Sequence, residues 1–103
     1  MRATTLGVLV ALCTLPATWA QAQSTMQGRS LAATCANCHG TDGHAMGEMK
    51  PLAGLPAATI LVAMNEFKDG RRPATLMHQL AKGYSDEQIG LIAAYFAAQK
   101  KTQ

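Results

Sequence analysis

Aromatic residues are scarce in this chain, with two Phe, two Tyr and one Trp among 103 residues. The bulk that ordinarily fills a small core is therefore missing, and a bound cofactor is one way to supply it. Charged residues are also few, at 15%, but 49% of the chain is hydrophobic, which excludes an intrinsically disordered polymer. The main apolar run, Leu6 to Leu15, falls well short of the roughly 20 residues a helix needs to cross a bilayer. A formal charge of +3 lacks the strong clustered basicity of a nucleic-acid-binding domain, so no nucleic-acid partner is expected. The length suffices for one small domain and no more.

The amino terminus reads as a secretory signal peptide. Met1-Arg2 gives a positive start, the apolar run follows, Pro16 breaks it, and Ala20-Gln21-Ala22 forms an A-x-A cleavage pattern. Leu12 stands before Cys13 where a lipid-attachment site would carry a small residue, which argues against a lipoprotein. Cleavage after Ala22 makes residues 1–22 the leader and 23–103 the mature domain; cleavage after Ala20 is the alternative frame, and both remove Cys13 and Trp19. The expectation is an exported, periplasmic bacterial protein with no membrane span in the mature chain. Eight Lys/Arg and six Asp/Glu remain in it. Exported domains of this size need disulfides, a metal or another staple. Only Cys35 and Cys38 remain after cleavage, and a disulfide between them would close too small a loop to constrain the unfolded chain much.

Residues 35 to 39 read Cys-Ala-Asn-Cys-His, the C-x-x-C-H pattern of covalent c-type haem attachment. Two thiols on one turn of chain can add across the two vinyl groups on one porphyrin edge, while the adjoining His39 reaches the iron. Two other chemistries share parts of the pattern. A thioredoxin-like dithiol opens a helix after a strand in a βαβ unit, and the chain has no strand runs. A structural zinc site needs four ligands; His44 and His78 could complete one on paper, without zinc-finger spacing.

Around the motif the pattern is all-helical. A short alanine-rich helix over 28–34 runs into Cys35, and the glycine-rich segment 40–47 reads as loop. A second helix, 57–68, places Ile60, Met64 and Phe67 on one stripe and stops at Gly70. Residues 75–82 form a helical turn ending at Gly83. Ser85 to Gln88 is a capping box, and behind it Ile89, Ile92, Ala93 and Phe96 make an apolar stripe, with Lys100 and Lys101 toward the negative end of the helix dipole.

This order of elements resembles the class I cytochromes c. Pro51-Leu52-Ala53-Gly54, Phe67 through Pro73, and Met77 through Glu87 are more specifically similar to the small cytochrome subunit of flavocytochrome c sulfide dehydrogenases, over about residues 26 to 98. The resemblance implies a small all-α fold wrapped around one covalent haem c. It implies that Pro51 offers its backbone carbonyl to the free ring N–H of the proximal His39. It also implies that Gly28 and Leu31 pack against Tyr95 and Phe96 where the terminal helices cross.

The sixth iron ligand is a choice among Met26, Met46, Met49, Met64 and Met77, each of which otherwise serves as a flexible filler. Met46 and Met49 lie only a few residues past His39, Met64 is on a packing stripe, and Met26 precedes the expected fold. Met77 is distant in sequence and can approach the opposite side, and the family uses this pre-helix position for its axial methionine. His78 is the rival, giving bis-histidine ligation. A methionine-ligated centre would carry single electrons to or from a redox protein partner, a flavoprotein being the most specific case, with Lys50, Lys68, Arg71, Arg72 and Lys82 as candidate steering charges. An open sixth position would instead make a ligand-binding or sensing haem protein. No residue with a catalytic role is identifiable.

Overall fold

The structure, a computed structural model, describes residues 17–101. The apolar run of the expected leader lies outside the described residues. Five α-helices follow in order: α1 (Thr18–Ala32), α2 (Ala36–His39), α3 (Ala57–Asp69), α4 (Met77–Lys82) and α5 (Asp86–Ala97), with 3-10 turns at Ala33–Cys35 and Thr41–Gly43. Among the described residues there is no strand, in keeping with the all-α expectation.

The boundaries expected for α3 to α5 hold to within two residues. Gly70 ends α3 in the left-handed conformation. Ser85 caps α5 with its side chain accepting from the Gln88 backbone N–H while the Gln88 side chain accepts from the Ser85 N–H. Helix α5 stops at Ala97, so Lys100 lies outside its last turn, the range over which the dipole acts. The largest difference is α1, which starts at Thr18 rather than near Gly28 and runs through both cleavage frames. Its first ten residues include alanines and glutamines that favour helix, and within α1 only Gly28 and Ala32 are buried. The early turns therefore rest on propensity, without packing.

The core is one cluster of Ala32, Ile60, Met64, Ala81, Ile89, Ile92, Ala93 and Phe96. Helix α5 is its centre: Ile89, Ile92 and Phe96 are the largest fully buried side chains, each stabilising the fold by about 1.5–3 kcal/mol through burial. Helix α1 packs on α5, and α3 packs on both α4 and α5. The expected close approach of the terminal helices is present. A Cβ on Gly28 would lie 2.8 Å from the Leu91 carbonyl oxygen and 3.5 Å from the Tyr95 Cβ.

The loop after His39 is folded back onto α5. Gly43 has φ +80°, and a Cβ there would sit 2.7 Å from the Ala53 nitrogen and 2.9 Å from the Phe96 ring. Its carbonyl accepts from both Leu52 and Ala53, and the Gly54 N–H donates to the Phe96 carbonyl. Asp42, at φ +53°, accepts a hydrogen bond from the Tyr95 hydroxyl across 53 residues of sequence. Segment 40–54 is thus held from both ends against the carboxy-terminal helix.

Candidate functional site

The 3-10 turn at Ala33–Cys35 leads directly into α2. Cys35 and Cys38 are three residues apart on continuous helical backbone, a spacing that puts side chains on neighbouring turns of one side. Both thiols are free, Cys35 half-buried and Cys38 exposed. Burial pushes the Cys35 thiol above its ordinary value, opposite to the depressed thiol of a thioredoxin-like pair. Among the described residues no group of three or more His, Cys, Asp or Glu side chains converges as a metal site.

His39, at the end of α2, is half-buried. Its Nδ1 lies 2.7 Å from the Lys50 carbonyl oxygen. A carbonyl only accepts, so Nδ1 is the donor and, in the neutral ring, Nε2 carries the lone pair. The expectation that Pro51 supplies this carbonyl is corrected by one residue. Proline restricts the residue before it to extended backbone, so Pro51 acts on His39 through the Lys50–Pro51 peptide, whose oxygen belongs to Lys50. A backbone acceptor leaves no residue-type signal; only the proline marks the place.

Met77 is the first residue of α4 and is half-buried against the core cluster. Of the other thioethers, Met64 is in the core. Met46, at 86% exposure, and Met49 are on the surface, as is Met26 on the outer turns of α1. His78 is committed elsewhere. Its Nε2 makes a short hydrogen bond to the Arg72 carbonyl, and its ring stands 6.3 Å from that of Phe67. Arg72 in turn lies 5.6 Å from the Phe67 ring centre and pairs with Glu66 at 2.7 Å. His78 therefore fixes the turn that leads into α4.

Three of the five candidate steering charges are engaged within the fold. Lys68 pairs with Asp86 at 3.0 Å, Arg71 with Asp69 at 2.8 Å, and Arg72 with Glu66. Among the described residues Lys50 and Lys82 have no ion pair.

The profile of the family described as "Cytochrome c" matches residues 25–100. The chain belongs to the cytochrome c family. It is 43% identical over 70 residues to the cytochrome subunit of sulfide dehydrogenase from Chlorobaculum tepidum, covering 68% of this chain and 64% of that protein. It is 39% identical over 77 residues to cytochrome c-554(548) from Halomonas halodenitrificans, covering 71% of this chain and 93% of the relative. Its fold is similar to that of the Acidithiobacillus ferrooxidans cytochrome c4 structure, with a TM-score of 0.69 and 30% identity over 73% of this chain. The chain spans 49% of that c4 chain and 64% of the Chlorobaculum tepidum relative. It is therefore a class I c-type cytochrome, with a fold built for one haem. The cytochrome c domain implies covalent haem c, and Cys35 and Cys38 fit its attachment motif.

The residues present fit that group. Two unpaired thiols stand at the spacing for two thioether bonds, and His39 has Nδ1 tied down by the Lys50 carbonyl, which leaves Nε2 as the nitrogen for a metal. Leu76 and Leu80 flank Met77 four residues apart, so that they share one face, yet are 63% and 52% exposed. Neighbouring large apolar side chains left in water at this position suit contact with an apolar ring. Among the described residues no helix is long and apolar enough to cross a membrane.

Proposed function

We propose that this chain is an exported monohaem carrier of single electrons, with His39 and Met77 as the two axial ligands of the iron. When bound, the haem supplies a one-electron Fe(III)/Fe(II) couple. The chain's own groups set how it is held. Thioether formation at Cys35 and Cys38 makes attachment permanent, and the Lys50 carbonyl keeps a His39 proton on Nδ1 and orients the ring. The Met77 thioether is a soft, neutral donor. In a half-buried setting it favours the less charged ferrous state and raises the potential. Two protein ligands leave no position for a substrate, which suits a carrier rather than a catalyst.

The observation that carries this reading is the 2.7 Å contact of His39 Nδ1 with the Lys50 carbonyl, directly beside two free thiols. Met77 packs half-buried against the core cluster, whereas the His78 ring is directed to the Arg72 carbonyl and Phe67, and this placement favours Met77 over the bis-histidine alternative. Residues 1–22 act as the leader, leaving 23–103 as the periplasmic domain. The name of the Chlorobaculum tepidum relative, cytochrome subunit of sulfide dehydrogenase, supports a sulfide-oxidising or similar dehydrogenase as the electron donor, and the resemblance in the sequence implies that this donor is a flavoprotein.

The oxidised spectrum of the purified holoprotein tests the ligand pair. A weak sulfur-to-iron band in the red is expected in the wild type. Met77→Ala loses the band, lowers the potential and admits imidazole at the iron. A high-spin wild-type spectrum would establish the open, ligand-binding alternative, and an unchanged potential and spectrum in Met77→Ala would remove that residue from the iron.

A further inference from the structure

We propose that Tyr84 is a positioning residue whose hydroxyl pair with Thr34 holds the Met77-bearing segment closed over the haem-attachment segment; this rests on Met77 being the axial ligand. The two segments belong to different parts of the fold. Cys35 and His39 continue from α1, which packs on α5, whereas Met77 opens α4, which packs on α3. The separation between them is what a fixed axial methionine requires the protein to hold.

A direct polar link joins the two sides. The Thr34 and Tyr84 hydroxyl oxygens lie 2.6 Å apart, 50 residues apart in sequence. Thr34 stands next to Cys35 and spends its one hydroxyl hydrogen on the Leu31 carbonyl at 3.1 Å, so Tyr84 is the donor of the pair. Tyr84 is itself held firmly. Its backbone N–H donates to Ala81 at the end of α4 and its carbonyl accepts from the Lys68 ammonium at 2.8 Å. The same ammonium donates to Asp86 at the start of α5, and the ring packs against the core cluster. With its backbone fixed from α3, α4 and α5, little remains to be ordered when the phenol meets Thr34, so the bond's net contribution is not spent on conformational entropy.

The consequence is a conformational equilibrium. If the pair stabilises the closed arrangement by the net worth of one ordinary hydrogen bond, removing it raises the fraction of molecules with Met77 off the iron by about fivefold. An exogenous ligand that binds only the open form gains apparent affinity in the same proportion.

The test is imidazole titration of the oxidised holoprotein. Tyr84→Phe and Thr34→Val are each expected to tighten imidazole binding about fivefold. The double variant should gain nothing beyond either single, and Thr34→Ser, which keeps the hydroxyl, should titrate like the wild type. A Tyr84→Phe protein with wild-type imidazole affinity, or single effects that multiply in the double variant, would overturn the proposal. A wild type lacking the sulfur-to-iron band would instead defeat the axial assignment, whatever Tyr84 does.

Discussion

At the residue scale, the chemistry depends on what each ligand's second atom touches. His39 is useful because its Nδ1 is occupied by the Lys50 carbonyl; the bond from His78 to the Arg72 carbonyl, with the ring beside Phe67, holds His78 to the turn before α4. The hydrogen bond from Tyr95 to Asp42 does for the 40–54 loop what a covalent tie would do more strongly. It also has a pH signature. The Asp42 carboxylate beside it, with burial adding to the effect, pushes the Tyr95 phenol above its ordinary value of 10.0. A folded-state value above the unfolded one means that the stabilisation is fully present below the unfolded value and is lost as pH rises through the folded value. Denaturant melts should therefore show a Tyr95-dependent loss of stability only on the alkaline side of pH 10, and Tyr95→Phe should be less stable at neutral pH with that alkaline loss removed. A Tyr95→Phe curve parallel to the wild type up to pH 11 would contradict this. Cys35, Cys38 and His39 were legible in the sequence because their chemistry is written in five consecutive side chains. Lys50 was not, because a main-chain oxygen has no letter of its own and Pro51 only points near it.

At the scale of elements, the chain's local signals and its helices agree where packing and capping agree. Ser85 and Gln88 specify the start of α5 within four residues, and Gly70 stops α3; neither needs distant parts of the chain. The start of α1 was misplaced because Thr18 to Gln27 forms helix without burying anything, so no apolar period marks it. The crossing of α1 and α5 is the element-scale feature with the clearest cost. A methyl group at Gly28 would meet the Leu91 carbonyl oxygen at 2.8 Å, a backbone atom that cannot rotate away. Gly28→Ala is expected to destabilise the holoprotein by about 1–3 kcal/mol, as overpacking does, read as a lower denaturant midpoint with the haem spectrum retained. A midpoint equal to that of the wild type would show that the crossing can relax at no cost. The pairing of Thr34 with Tyr84 and of Asp42 with Tyr95 lay beyond sequence reasoning for a common reason: each joins residues about 50 apart, and no local period encodes such a distance.

At the scale of the whole molecule, a short chain with few aromatics folds around one buried cluster and carries a helix-borne attachment site for haem c. Three of its five steering candidates are used to tie α3 and the loop after it to themselves and to α5, leaving Lys50 and Lys82 as the two candidates without an ion pair among the described residues. Encounter with a partner should accordingly show only modest dependence on ionic strength. The all-α architecture and the covalent site were readable because helix periodicity and C-x-x-C-H are both short-range. How the two sides are locked together was not. The central claim is that one haem is bonded covalently to Cys35 and Cys38, and the intact mass of the purified protein under denaturing conditions tests it most directly. The wild type should show a gain equal to one haem, and the Cys35→Ser, Cys38→Ser double variant none. A wild-type chain at its bare polypeptide mass would contradict the account.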